Sequence, residues 1–108
     1  STRCDCLLLL PEPTGNIAID SKFPLENFYK LSSLDTSTSD RQKASQLFKK
    51  DIKKHIQDIA SKYIIPGETA DGAIMFIPAE AIFAEIHSQF SDLVIFAQQQ
   101  NVWLVSPT

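Results

Sequence analysis

Apolar positions open the chain in two short runs, Cys4 to Leu10 and Ile17 to Lys22, separated by a turn-rich stretch from Pro11 to Asn16. Two such runs joined by Pro and Gly predict a β-hairpin. Pairing Leu10 with Ile17 across that six-residue loop sets Asp5 opposite Lys22 and diagonal to Asp20, so the three charges share one face. Cys4, Cys6, Leu8 and Leu10 then meet Ile17 and Ile19 on the other face as a core layer, with the two cysteines as buried free thiols. A register slipped by one residue would send Asp5 to the wrong side.

Beyond Phe23-Pro24 the period lengthens to three and four. Leu25 to Leu34 predicts a short helix with Leu25, Phe28 and Leu31 inward, and Asp35 to Asp40 a polar loop whose Ser39 or Asp40 can cap the next helix. That helix, Arg41 to Tyr63, carries Ala44, Phe48, Ile52, Ile56, Ile59 and Tyr63 as one apolar stripe. Lys43, Lys50 and Lys54 fall nearly opposite the stripe, and Lys49 and Lys53 flank it. Pro66-Gly67 stops the chain, and Ala73 to Ile77 has the size of a buried strand. Pro78 suits the first turn of a helix running to Phe90, with Ile82, Phe83 and Ile86 inward. Ser91-Asp92 starts another through Leu93, Val94, Phe96 and Ala97, and Val102 to Val105 is a last strand. Phe48, Phe76, Phe83, Phe96 and Trp103 all fall on expected core positions. The order predicts an α/β fold, a mixed sheet that begins with a β-hairpin and is flanked by helices.

The length of 108 residues fits one small domain, and 44% hydrophobic with 21% charged residues is a globular balance. No apolar run approaches the roughly 20 residues of a membrane span, and Ser1-Thr2-Arg3 leads straight into a strand pattern with no signal peptide, so the expected location is the cytoplasm. Cys4 and Cys6, two apart on one strand, are too far apart for a disulfide, and His55 and His87 lack zinc-ligand spacing. Net charge is −3, but between Asp40 and Lys62 seven basic residues face three acidic ones, a local basic face on an acidic molecule.

Asp20-Ser21-Lys22 carries the sharpest chemistry. Residues two apart on a strand point to one face, so an acid and a lysine reach the same phosphate, and Asp5 adds a second carboxylate from the neighbouring strand. Two aspartates plus water and phosphate oxygens suffice for Mg²⁺, and an ammonium can steady a phosphoryl-transfer transition state. The plainer reading is a surface ion pair between Asp5 and Lys22, worth about 0 to 1 kcal/mol. His55, beside the apolar stripe, reads as a packed, hydrogen-bonded histidine rather than a general base. Glu80 and Glu85, near a helix start, are second-line candidates for the site. No glycine-rich phosphate loop, nucleophile elbow or His-Glu-x-x-His helix is present.

Ile19-Asp20-Ser21-Lys22-Phe23-Pro24-Leu25-Glu26-Asn27, Lys53-Lys54-His55-Ile56, Asp58-Ile59, Lys62-Tyr63-Ile64, Pro66-Gly67-Glu68-Thr69, Met75-Phe76-Ile77-Pro78, Ala84-Glu85-Ile86-His87 and Val102-Trp103-Leu104-Val105-Ser106-Pro107-Thr108 resemble, in order, the central domain of the RmuC family of bacterial DNA recombination proteins. The resemblance implies a restriction-endonuclease-like core of the PD-(D/E)-x-K nuclease type, in a protein that acts in recombination and limits DNA inversions. Residue by residue it makes Asp5 the first acid, Asp20 the second and Lys22 the lysine, with Mg²⁺ or Mn²⁺ on Asp5 and Asp20. Cys4 stands where the family motif commonly has proline. It further implies that residues 1 to 108 are a single domain cut from a longer RmuC-like protein. That protein would have an upstream helix able to add a glutamate and an N-terminal anchor or coiled coil. DNA is the implied partner, with Lys43, Lys50, Lys53 and Lys54 as candidate phosphate contacts and the oligomeric state open. The alternative is a non-catalytic DNA-binding or assembly module that retains the fold.

Overall fold

The computed structural model describes residues 4–21, 28–29 and 37–107. Four strands, β1 (Cys6–Leu8), β2 (Ile17–Asp20), β3 (Ala73–Phe76) and β4 (Val102–Val105), form one sheet in the order β1-β2-β3-β4. β1 is antiparallel to β2, and β2, β3 and β4 run parallel. Among the described residues three helices with defined bounds accompany the sheet: α1 (Thr38–Tyr63), α2 (Glu80–Gln89) and α3 (Ser91–Gln99). This is the mixed α/β arrangement that the order of apolar periods predicts. The short helix expected over Leu25 to Leu34 lies outside the described residues except for Phe28 and Tyr29, which are helical. No helix among the described residues is long and apolar enough to cross a membrane.

The stripe on α1 behaves as its spacing requires. Ala44, Phe48, Ile52, Ile56 and Ile59 are buried and Tyr63 is half-buried. The helix begins earlier than its apolar residues do. Ser37, rather than Ser39 or Asp40, is the N-cap, its Oγ accepting from the Asp40 N–H at 3.1 Å. A cap three residues upstream of that donor leaves Asp40 in the first turn, where its charge meets the positive end of the helix.

Period-two alternation sorts the parallel strands. Ala73, Met75 and Ile77 of the β3 segment and Val102 of β4 join Ile82, Ile86, Phe90, Leu93, Ala97 and the α1 stripe in one core. Phe48 packs against Phe90 and Phe28 with ring centroids 5.2 and 5.6 Å apart. Pro78 precedes α2 rather than opening it, since Ala79 is the N-cap and the helix starts at Glu80.

The helices cover β3 and β4, and β1 lies at the sheet edge beyond them. All three β1 residues are exposed, so the apolar layer expected across the hairpin forms only on the β2 side. Cys6 is exposed and Cys4 half-buried, which corrects the expectation of buried thiols. Trp103 is likewise no core residue: it stands 48% exposed on the sheet face away from the helices, next to Ile74 of β3. Alternation fixes which residues share a face, but burial needs a layer above that face.

Trp103 nevertheless dictates one backbone position. A Cβ on Gly72 would overlap the indole and come within 2.9 Å of the Asn101 carbonyl oxygen. Gly72→Ala is expected to cost about 1–3 kcal/mol in chemical denaturation. Combining it with Trp103→Ala should recover part of that loss, since only the Asn101 contact then remains. Equal costs with and without the indole would show that the ring does not set this position.

Candidate functional site: a carboxylate pair beside a buried imidazole

The hairpin register places the first acid. Cys6 faces Ile19, Leu7 faces Ala18 and Leu8 faces Ile17, two residues away from the register that the six-residue loop predicts. The connection is longer, running from Leu9 to Asn16. Gly15 adopts φ +81° there, and the Ala70 N–H donates to the Asn16 carbonyl at 2.7 Å, tying the loop to the segment before β3. A shift of two preserves the face of every side chain. Continued by one residue, the ladder sets Asp5 opposite Asp20 instead of Lys22, so the two carboxylates come together at one end of the hairpin. Lys22, the third residue of the expected site, lies outside the described residues.

The two acids sit in different surroundings. Asp5 is exposed, and its Oδ2 accepts from both the backbone N–H and the Oγ of Ser21, each at 2.9 Å. Ser21 thus ties the start of β1 to the residue after β2. Its position between Asp20 and Lys22 gave no sign of this role, because the partner lies sixteen residues away. Asp20 is only 6% exposed, the buried charged residue of the described chain. It pairs with Met75 across β2 and β3, which turns it to the face that α1 covers.

α1 brings His55 to that carboxylate. His55 lies at the edge of the buried stripe, and its Nε2 is 4.0 Å from Asp20 Oδ2. That nitrogen is buried and has no hydrogen-bond partner, so the expectation of a packed histidine holds while that of a hydrogen-bonded one does not. Tyr63, two turns further along α1, completes the wall. Burial raises its phenol pKa, and the nearby Asp20, Cys4 and Asp5 add to the rise by disfavouring a further negative charge. Stripe periodicity placed Tyr63 on the stripe and His55 beside it. What it could not show was which strand end they face.

The donor chemistry suits a hard divalent cation: two carboxylates from adjacent strands, leaving water and phosphate oxygens to complete its shell. Among the described residues no group of three or more His, Cys, Asp and Glu side chains is gathered tightly enough to hold a metal. Glu80 and Glu85 therefore do not add a third carboxylate to the pair there. His87 is engaged elsewhere, with Nδ1 3.0 Å from the Phe83 carbonyl and its ring against Phe83.

The lysines of α1 divide by flank. Lys49 pairs with Asp92 and Lys53 lies over the Phe96 ring at 4.9 Å, both toward α3 and away from β2. Together with Gln46, Lys50 and Leu93 they line a groove of about 370 Å³. Lys54 pairs with Asp58 one turn on, and Lys43 is exposed. The ammonium of Lys49 holds the Asp92 carboxyl below its usual range, and Lys54 does the same to Asp58.

The RmuC family model matches residues 1–108. A DNA recombination protein RmuC homolog of Xylella fastidiosa (strain Temecula1) is 30% identical over 95 residues, which cover 85% of this chain and 21% of that protein. One of Vibrio cholerae is 31% identical over 107 residues, 96% of this chain and 20% of that protein. The chain thus spans about a fifth of the length of these curated relatives. No solved structure matches it.

The phenol of Tyr63 reports on the site. Its raised pKa means that the fold favours the neutral phenol. That contribution is complete below the ordinary tyrosine pKa of about 10 and is lost as pH climbs through the higher folded value. In a near-ultraviolet titration, with Tyr63→Phe as the difference reference, the Tyr63 midpoint is expected above the ordinary value. Asp20→Asn should lower it. A midpoint indifferent to Asp20→Asn would show that carboxylate and phenol do not sense each other.

Proposed function

The chain belongs to the RmuC family, and on that footing we propose that it is the nuclease-like part of a DNA recombination protein. In this reading it is a restriction-endonuclease-like core that hydrolyses DNA phosphodiesters with Mg²⁺ or Mn²⁺. The observation that carries the reading is the register that brings Asp5 across from Asp20, at the end of β2 that leads into Lys22. In α/β sheets the carboxyl ends of parallel strands are where ligands bind, and Asp20 ends a strand parallel to β3 and β4. The relatives named DNA recombination proteins support DNA as the substrate, and a protein acting on the chromosome would work in the cytoplasm.

Each residue has a distinct task. Asp5 and Asp20 would hold the divalent ion, with Ser21 fixing the Asp5 carboxylate by two hydrogen bonds. The ion, when bound, neutralises phosphate charge and lowers the pKa of a coordinated water. Lys22, two residues after Asp20, would offset the charge that develops on the phosphate oxygens. Hydrolysis joins the water oxygen to phosphorus as the bond to the leaving sugar oxygen breaks. The water gives up one proton, and the leaving oxygen gains one.

With full-length protein, Mg²⁺ or Mn²⁺ and a branched or inverted-repeat DNA, cleavage is expected. Asp20→Ala or Lys22→Ala should lower its rate by about 100-fold or more while DNA binding persists. Cleavage at the parental rate in both variants would sink the proposal.

The groove between α1 and α3 favours a second reading, a module that binds DNA without cutting it. Lys49, Lys50 and Lys53 gather there beside Phe96, on the flank of α1 away from the carboxylates. Lys50→Glu combined with Lys53→Glu is then expected to weaken DNA binding and to flatten its salt dependence by about one unit of log–log slope per lost phosphate contact. Lost binding in a protein that never cleaves favours this reading. Unchanged binding removes the groove from it.

A further inference from the structure

We propose that the groove between α1 and α3 takes a single strand of DNA, with one unpaired base stacked on the Phe96 ring and the flanking phosphates on Lys49, Lys50 and Lys53. The proposal rests on the reading of that groove as a DNA contact and names the form of DNA it selects. It does not depend on the carboxylate pair on the other flank of α1.

Two helix repeats give the groove two kinds of wall. Gln46, Lys49, Lys50 and Lys53 recur at three and four residues along α1, so they share one exposed flank of that helix. Leu93 and Phe96, three apart on α3, close the other side with apolar surface. Three ammonium groups meet one carboxylate, that of Asp92, so the groove is basic beside an apolar wall.

The apolar wall decides which form of the polyanion fits. Duplex DNA keeps its bases stacked inside and turns its phosphates outward, which would engage the lysines and leave the Phe96 ring without a partner. A single strand offers both groups at once, phosphates for the ammonium groups and a flat base for the ring. Phe96 falls on a core position by its period, yet it is only partly buried, and Lys53 Nζ lies over its ring at 4.9 Å. An exposed cation–π contact is weaker than a base stacked on an aromatic ring, so a base can displace that ammonium and leave it beside the phosphates. The Gln46 amide adds a donor and an acceptor for a base edge. At about 370 Å³ the groove has the size of a small-ligand site, which suits one nucleotide.

The test uses the full-length protein with a chelator present, so that the strands stay intact. Its probes are one mixed-sequence oligonucleotide as single-stranded DNA, as duplex DNA and as single-stranded RNA. Fluorescence anisotropy should show the DNA strand bound more tightly than the duplex. Phe96→Leu keeps apolar bulk without the ring, and should weaken single-strand binding roughly tenfold while changing duplex binding less than about twofold. Lys50→Glu combined with Lys53→Glu should weaken both. On the parent protein, an irradiated DNA strand carrying 5-iodouracil should crosslink to Phe96, as read by mass spectrometry. Circular dichroism checks each variant, and if Phe96→Leu does not fold the crosslink decides alone. A duplex bound as tightly as the single strand, an equal loss of both or no loss in Phe96→Leu, or no adduct on Phe96 overturns the stacked base. When the lysine variant still weakens binding, these outcomes leave the groove standing as a DNA contact. Unchanged binding in the lysine variant overturns that reading and the proposal together. Tighter binding of the RNA strand overturns the assignment to DNA.

Discussion

Phe48, Ile52, Ile56 and Ile59 have almost no exposed surface, and their common stripe on α1 can be buried only against the face of β3 that carries Ala73, Met75 and Ile77. Each such side chain contributes about 1.5–3 kcal/mol when fully buried. That contact therefore sets the rotation of α1 about its own axis. Once the rotation is set, the residues at the two edges of the stripe have no freedom. His55 is carried to the end of β2, while Lys49 and Lys53 are carried to α3. The candidate site and the basic groove are thus two consequences of one packing interaction, placed on opposite flanks of one helix.

The periods in the sequence were enough to read the helix and strand types, the mixed sheet, and the face shared by Asp5 and Asp20. They were legible because a strand repeats every two residues and a helix every 3.6. The same arithmetic protected the site from an error of register. The observed pairing differs from the expected one by two residues, which exchanges the residue opposite Asp5 but not its side. Other features depended on tertiary neighbours and could not be read. Cys6 and Trp103 have apolar patterns but stand exposed, because the helices cover β3 and β4 on the opposite face. Ser37 capped α1 upstream of the expected residues because the apolar stripe, which marks the helix, begins only at Ala44. The meeting of His55 with Asp20 required knowing where α1 crosses the sheet. Lys22, which the sequence placed in the site, lies outside the described residues, and its role rests on the Asp20-x-Lys22 spacing.

The surface charges of α1 are arranged differently from those at the strand ends. Lys54 and Asp58, and Lys49 and Asp92, are exposed pairs of the kind worth about 0 to 1 kcal/mol. Water screens them, and a phosphate can replace either carboxylate at little cost to the fold. Asp20 is held by burial, where charge interactions are stronger and an exchange of partners is expensive. A polyanion would therefore compete for the lysines without disturbing the carboxylate pair.

That asymmetry extends to the polar atoms left unsatisfied by the fold. A buried nitrogen without a partner costs about 1–3 kcal/mol relative to a satisfied one, a sizeable share of the stability of a small domain. Glutamine or leucine at position 55 would pack beside the same stripe without an imidazole lone pair to satisfy. Folding alone therefore gives no reason for histidine here. The stripe that stabilises α1 then also fixes how far that nitrogen stands from Asp20, because His55 cannot move without withdrawing Ile52, Ile56 and Ile59 from the core. Position 55 is where the packing of α1 against the sheet meets the candidate site at Asp20.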